Sequence, residues 1–131
     1  MGIFSGIFGG SKDEDGKEVS EIPWKPLNTI AQLEDIKKQS NARPQVIFKH
    51  STSCGISRMV LNMFKSGYGL EEGQMDFYFL DLLANRDVSH EVASVFGVMH
   101  QSPQLLIIKN GVVVVHDSHG PISDIKLEQY I

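Results

Sequence analysis

The feature that most constrains this chain is Asn110-Gly111, set between the apolar runs Gln104-Leu-Leu-Ile-Ile-Lys109 and Val112-Val-Val-Val-His116. A two-residue type I′ turn needs positive φ at both central positions, and asparagine followed by glycine accepts that geometry at little steric cost. The segment therefore predicts an antiparallel hairpin. Upstream the pattern alternates. Gln45 to Lys49, behind Pro44, reads as a short buried strand, and Met75 to Asp81 is aromatic-rich and strand-like. Between and around these runs the apolar residues recur at helical spacing. Ile30, Leu33 and Ile36 follow Thr29, a candidate cap, in a helix ending around Ser40-Asn41. Ile56, Met59, Val60, Met63 and Phe64 define an amphipathic helix ending near Gly67, and Ser89 to Phe96 carries Val92, Val95 and Phe96 on one face ahead of Gly97. Ile122 to Ile131 predicts a terminal helix with Ser123 as its cap, and a short strand is expected near Trp24.

Strand-helix-strand connections require a crossover and hence parallel pairing, whereas the hairpin is antiparallel. The expected fold class is therefore α/β, a mixed central sheet flanked by helices on both faces. At 131 residues, 41% apolar and 21% charged, the chain suits one globular domain. Residues 1–21 read as an N-terminal extension, because Gly9 to Glu21 is glycine, serine and charge with only Val19 apolar. Residues 22–131 are left for the fold. The apolar Ile3, Phe4, Ile7 and Phe8 read as a frayed terminus. The opening segment lacks the basic residues and cleavage site of a signal peptide, and Gly6 breaks the myristoylation pattern.

Function classes fall away on similar grounds. Twelve Lys+Arg against sixteen Asp+Glu give a net charge of -4, which argues against a nucleic-acid partner held by phosphate neutralisation. No apolar run exceeds four residues, so no membrane partner is expected. The single cysteine, Cys54, excludes an intramolecular disulfide and with it a disulfide-stapled secreted domain. A reducing, cytoplasmic setting is expected.

A lone cysteine is by itself most often a small core residue. The placement of Cys54 points elsewhere, because it stands where a buried strand passes into an amphipathic helix, with Ser51, Thr52 and Ser53 before it. Free N–H groups and the positive end of a helix dipole favour a thiolate at that position, and the thiolate is the nucleophile. Lys49, His50 and Arg58 are near enough in sequence to add positive potential. Cys54-Gly-Ile-Ser57 keeps the spacing of a Cys-x-x-Cys redox motif but puts a hydroxyl in place of the second sulfur, so Ser57 is expected to hydrogen-bond the Cys54 sulfur. Ser102-Pro103 directly precedes a strand, where a cis peptide would bring backbone donors beside the thiolate for an incoming chain.

These residues carry a family resemblance. From about Trp24 to Ile131 the order of elements, a Cys-x-x-Ser opening a helix and a proline before the hairpin resemble the thioredoxin fold. More narrowly, Phe48-Lys-His-Ser-Thr-Ser-Cys-Gly-Ile-Ser57, Ser102-Pro-Gln-Leu105 and Asn110-Gly111 resemble the YtxJ-type monothiol bacilliredoxins (bacilliredoxin C) of Gram-positive bacteria. Gly55 stands where members usually have proline. The resemblance implies an oxidoreductase acting in oxidative stress, which removes bacillithiol from protein mixed disulfides. Cys54 would be the nucleophile and Ser57 its companion. Thr52, Ser53, Gly55, Ser102 and Pro103 would form the substrate-binding surface. No bound cofactor or metal is implied; bacillithiol would be the co-substrate, S-bacillithiolated client proteins the partners, and free bacillithiol or a bacillithiol disulfide reductase the means of resolving the adduct. Because bacillithiol carries a malate moiety, Lys49, His50 or Arg58 would hold its carboxylates.

Two rival readings use the same residues. Cys-Gly-Ile-Ser is one residue from the Cys-Gly-Phe-Ser of monothiol glutaredoxins, which resemble carriers of a shared iron–sulfur cluster, but the Gly-Gly turn usual after the hairpin is replaced here by Val113-Val-Val-His-Asp-Ser-His-Gly120. The other reading is a non-catalytic interaction module with a structural Cys54. His116-x-x-His119 supplies two ligands of a zinc site without the others, and reads, like His50, His90 and His100, as ordinary histidine.

Overall fold

The computed structural model describes residues 22–71 and 73–131. The expectations that fall on residues 1–21 lie outside the described residues. The elements are β1 (Trp24–Pro26), α1 (Ala31–Gln39), β2 (Gln45–His50), α2 (Gly55–Ser66), β3 (Asp76–Asp81), α3 (Arg86–Phe96), β4 (Gln104–Lys109) and β5 (Val112–Ser118), followed by two 3₁₀ turns at Gly120–Asp124 and Leu127–Tyr130. One five-stranded sheet has the order β1-β3-β2-β4-β5. β2 and β3 run parallel, with Gln45 opposite Asp76 and His50 opposite Asp81. β4 runs antiparallel to β2, with Lys49 opposite Gln104. The mixed sheet expected from the connections is therefore present, and the C-terminal ends of β2 and β3 meet the N-terminal end of β4 at one edge.

β2 and β4 are buried almost throughout, and their alternation builds a core on each side of the sheet. Val46, Phe48, Leu105 and Ile107 pack with Val60 and Phe64 of α2 and with Ile122 and Leu127 of the C-terminal turns. Ile47, Leu106 and Ile108 pack on the opposite face with Leu33 and Ile36 of α1 and Val88 and Val92 of α3. Trp24 of the edge strand β1 sits among Phe48, Phe64, Phe77 and Phe79, with ring centroids 5.5–6.3 Å away. Among the described residues, no helix is long and apolar enough to cross a membrane.

Five local expectations are corrected. In α2 the buried residues are Ser57, Val60 and Phe64, while Ile56, Met59 and Met63 are about half exposed. The apolar positions form two adjacent stripes, and the sheet covers only the one that continues into Ser57. α3 begins at Arg86, three residues before the expected start. The single C-terminal helix is instead two 3₁₀ turns, separated by extended backbone at Ile125 and Lys126. An α-helix rotates about 140° over five residues, so it could not turn both Ile122 and Leu127 onto the sheet, and both are buried. Ser123 does not cap; its hydroxyl donates to the Gly120 carbonyl at 2.9 Å. Thr29 caps in reverse: the Gln32 side-chain oxygen accepts from the backbone N–H groups of Asn28 and Thr29.

The hairpin has the expected turn, with φ of 53° at Asn110 and 83° at Gly111. Its tip is tied to the end of α1. The Asn110 N–H donates to the Ser40 carbonyl at 2.9 Å and the Gly111 N–H to the Ser40 hydroxyl at 2.8 Å, while that hydroxyl donates to the Lys37 carbonyl at 2.6 Å. Ser40 is buried. Ser40→Ala leaves the Gly111 N–H without its acceptor and is expected to cost about 1 kcal/mol, or roughly 4 °C in Tm, measured by thermal unfolding.

Candidate active site

Cys54 is the residue from which α2 starts. Its backbone is extended (φ -109°, ψ 120°), its N–H donates to the Ser51 carbonyl at 3.1 Å and its carbonyl accepts from the Arg58 N–H at 3.2 Å. It is a free thiol of intermediate exposure. The sulfur is thus attached at the end of the helix where unsatisfied N–H groups point outward. Gly55 is the first helical residue, and a Cβ built there would meet nothing within 4 Å. Thr52, Ser53 and Arg58 are exposed around the thiol, and one Arg58 guanidinium nitrogen donates to the Thr52 carbonyl at 3.1 Å.

The Ser57 hydroxyl is not directed at the sulfur, and no hydrogen bond joins the two. Ser57 is fully buried; its Oγ lies 2.8 Å from His50 Nδ1 and accepts from the Ser51 N–H at 3.2 Å. The turn carrying Cys54 therefore hangs on Ser57, which is anchored by His50. The ring packs against Phe79 and Phe48, with centroids at 5.3 and 6.5 Å. Burial lowers the His50 pKa, against a smaller upward pull from Asp81 and with a further downward push from Arg58. His50 is thus a buried anchor whose Nδ1 is engaged by Ser57 rather than available to a carboxylate at the surface.

Lys49 is placed differently again. Successive strand residues face opposite sides, so Lys49 lies on the α1 and α3 side of the sheet, away from α2, and is fully buried. Its Nζ donates to the Ser89 carbonyl at 3.2 Å and to His100 Nδ1 at 3.1 Å. Desolvation brings its pKa from 10.5 down to about 8. Of the three basic residues expected to hold substrate carboxylates, only Arg58 is free to do so. Sequence reasoning missed Ser89, His100 and Gln104 as the polar groups around Lys49. The available signal was the predicted strand itself, whose alternation separates Lys49 from His50.

Ser102 and Pro103 are joined by a cis peptide bond at the start of β4. Pairing of Lys49 with Gln104 puts them at the same end of the sheet as Cys54. The Pro103 carbonyl accepts from the His119 N–H at 3.1 Å, and the Ser102 backbone makes no hydrogen bond to another described backbone group. Among the described residues, no group of three or more His, Cys, Asp or Glu could hold a metal ion.

A mixed five-stranded sheet with helices on both faces, a Cys-x-x-Ser at a helix start and a cis-proline at the same sheet end define a thioredoxin-fold protein with a thiol redox role. The solved structures similar to it agree. A protein described as a candidate oxidoreductase with a thioredoxin fold is 32% identical, with 82% of this chain and 92% of that chain covered at a TM-score of 0.68. The thioredoxins of Malassezia sympodialis (18% identity, 85% and 92% covered, TM-score 0.66) and Schistosoma mansoni (20%, 82% and 95%, 0.63) share the fold. Residues 25–127 match the family described as monothiol bacilliredoxin BrxC, and the chain belongs to that family.

Two outcomes follow from the buried polar groups. Ser57→Ala removes the partner of His50 Nδ1 and the acceptor of the Ser51 N–H; it should cost about 1–3 kcal/mol in thermal or urea unfolding, whereas Ser66→Ala, on an exposed hydroxyl, should stay within about 0.5 kcal/mol. For Lys49, the folded pKa lies below the unfolded one, so between about pH 8 and 10.5 the unfolded chain binds more protons and stability rises with pH. The urea midpoint of the wild type is expected to climb relative to that of Lys49→Met between pH 7.5 and about 9.5.

Proposed function

We propose that the protein removes bacillithiol from protein mixed disulfides, with Cys54 as the sole nucleophile. The observation that carries this reading is a half-exposed thiol at the start of α2 in a sequence with no second cysteine, within a chain of the monothiol bacilliredoxin family. The Cys54 thiolate attacks the bacillithiol sulfur of the mixed disulfide. The old S–S bond breaks, the client sulfur leaves as a thiolate and takes up a proton, and a new disulfide joins Cys54 to bacillithiol. With no second thiol in the chain, the adduct is resolved from outside, by a partner reductase or by a second bacillithiol that attacks it, releasing bacillithiol disulfide and regenerating Cys54. By the second route the oxidising equivalent of the original mixed disulfide leaves as bacillithiol disulfide, which is the substrate for a separate reductase.

The surroundings support these steps. Thr52, Ser53 and Gly55 leave the thiol open to a bulky disulfide, Arg58 has donors to spare for the malate carboxylates of bacillithiol, and the unpaired Ser102 backbone is available to a client segment laid beside Cys54. Ser57 acts on Cys54 through the turn it holds. The site works in a reducing, cytoplasmic setting in which the small thiol is abundant.

Intact mass after incubation with oxidised bacillithiol, and in parallel with oxidised glutathione, tests the reading. One bacillithiol is expected to be gained preferentially, to be lost on addition of free bacillithiol, and to be absent in Cys54→Ser. Equal labelling by both disulfides would reduce Cys54 to a generic reactive cysteine and refute the assignment.

A further inference from the structure

Lys49 is a fully buried lysine with no carboxylate partner among the described residues. Its contacts join elements distant in sequence: Nζ is held by the Ser89 carbonyl of α3 and by His100 Nδ1 on the segment between α3 and β4. The Ser89 hydroxyl lies 3.3 Å from the same His100 nitrogen. Gln104, opposite Lys49 in the sheet and equally buried, donates from Nε2 to the Met99 carbonyl at 2.9 Å, while its Oε1 is buried without a hydrogen-bond partner. Two polar side chains from neighbouring central strands therefore grip residues 99 and 100 from beneath. Val98 and Pro103 are buried at the two ends of that segment, and residues 99–102 between them are not. Met99 is 78% exposed, and no N–H from Val98 to Ser102 donates to another described backbone group. It leads directly into Ser102-Pro103, at the Cys54 end of the sheet.

We propose that Lys49, Gln104 and His100 are positioning residues for thiol exchange: a buried polar strut that sets the 98–103 segment at the height where Ser102 can pair with a client chain attached to Cys54. The inference rests on the reading of Cys54 as the exchange nucleophile, and it concerns macromolecular substrates only. A small disulfide needs access to the sulfur, whereas a protein mixed disulfide must also lay its backbone along this segment. A buried ammonium is costly to keep when an apolar residue of similar length would fill the same space. The strut supplies a reason for its presence. With the Lys49 ammonium as donor, His100 Nδ1 is the acceptor and the neutral ring carries its proton on Nε2.

The test compares Lys49→Met, His100→Ala and His100→Asn with the wild-type chain. Asparagine can present its side-chain oxygen where Nδ1 stood, and His100 is exposed enough that its replacement does not threaten folding. In Lys49→Met and His100→Ala, exchange with a bacillithiolated protein is expected to fall at least tenfold through a raised KM. The rate with oxidised bacillithiol alone should stay within twofold, and His100→Asn should recover most of the loss. Backbone ¹⁵N order parameters for residues 98–102 should drop in the first two variants from about 0.85 toward 0.6, with α2 unchanged. Unchanged order parameters would overturn the strut whatever the kinetics, as would an equal fall with protein and small disulfides. Failure of the wild type to exchange with either would remove the assignment of Cys54 but leave the order parameters to judge the strut.

Discussion

Strand β2 ends in two consecutive buried polar residues that point to opposite faces of the sheet, and the rest of the site depends on how each is satisfied. His50 reaches under α2 and fixes Ser57, from which the turn carrying Cys54 is suspended. Lys49 reaches under α3 and holds the segment that leads into Pro103. Burying a polar group without a hydrogen bond is costly, so each side chain favours one resting place for the neighbouring loop. The thiol and the cis-proline segment are thereby referenced to the same two residues of one central strand, which is buried throughout.

Much of this architecture was legible in the sequence because it rests on local rules. Asn110-Gly111 specified its turn through positive φ, β2 and β3 announced themselves by apolar and aromatic runs, and Gly97, at φ 68°, ends α3 as a glycine should. The position of Cys54 at a strand-to-helix junction, and the fold it implies, followed from the same rules. The partly exposed α2 was misjudged because period alone cannot say how wide a stripe the sheet will cover. The C-terminal helix was misjudged because burial of Ile122 and Leu127 overrode helical continuity.

The polar contacts were not legible, for a different reason. Lys49 and His100 are 51 residues apart, and Ser40 meets Gly111 from 71 residues away. No local pattern encodes such pairs. Proximity to Cys54 in sequence suggested that Lys49 and His50 would serve the thiol directly. Strand alternation instead turned one away and buried the other, leaving Arg58, one helical turn on, as the cation at the surface.

Gly55 has a consequence of its own. An incoming side chain would find open space there, the first position of a helix is where a missing N–H does least harm, and Cys54 already occupies the extended region that proline demands of its predecessor. The backbone at this position therefore already has the geometry a proline would need. What separates glycine from proline there is latitude: glycine leaves the backbone immediately after the sulfur a wide range of conformations, and a pyrrolidine ring would clamp it.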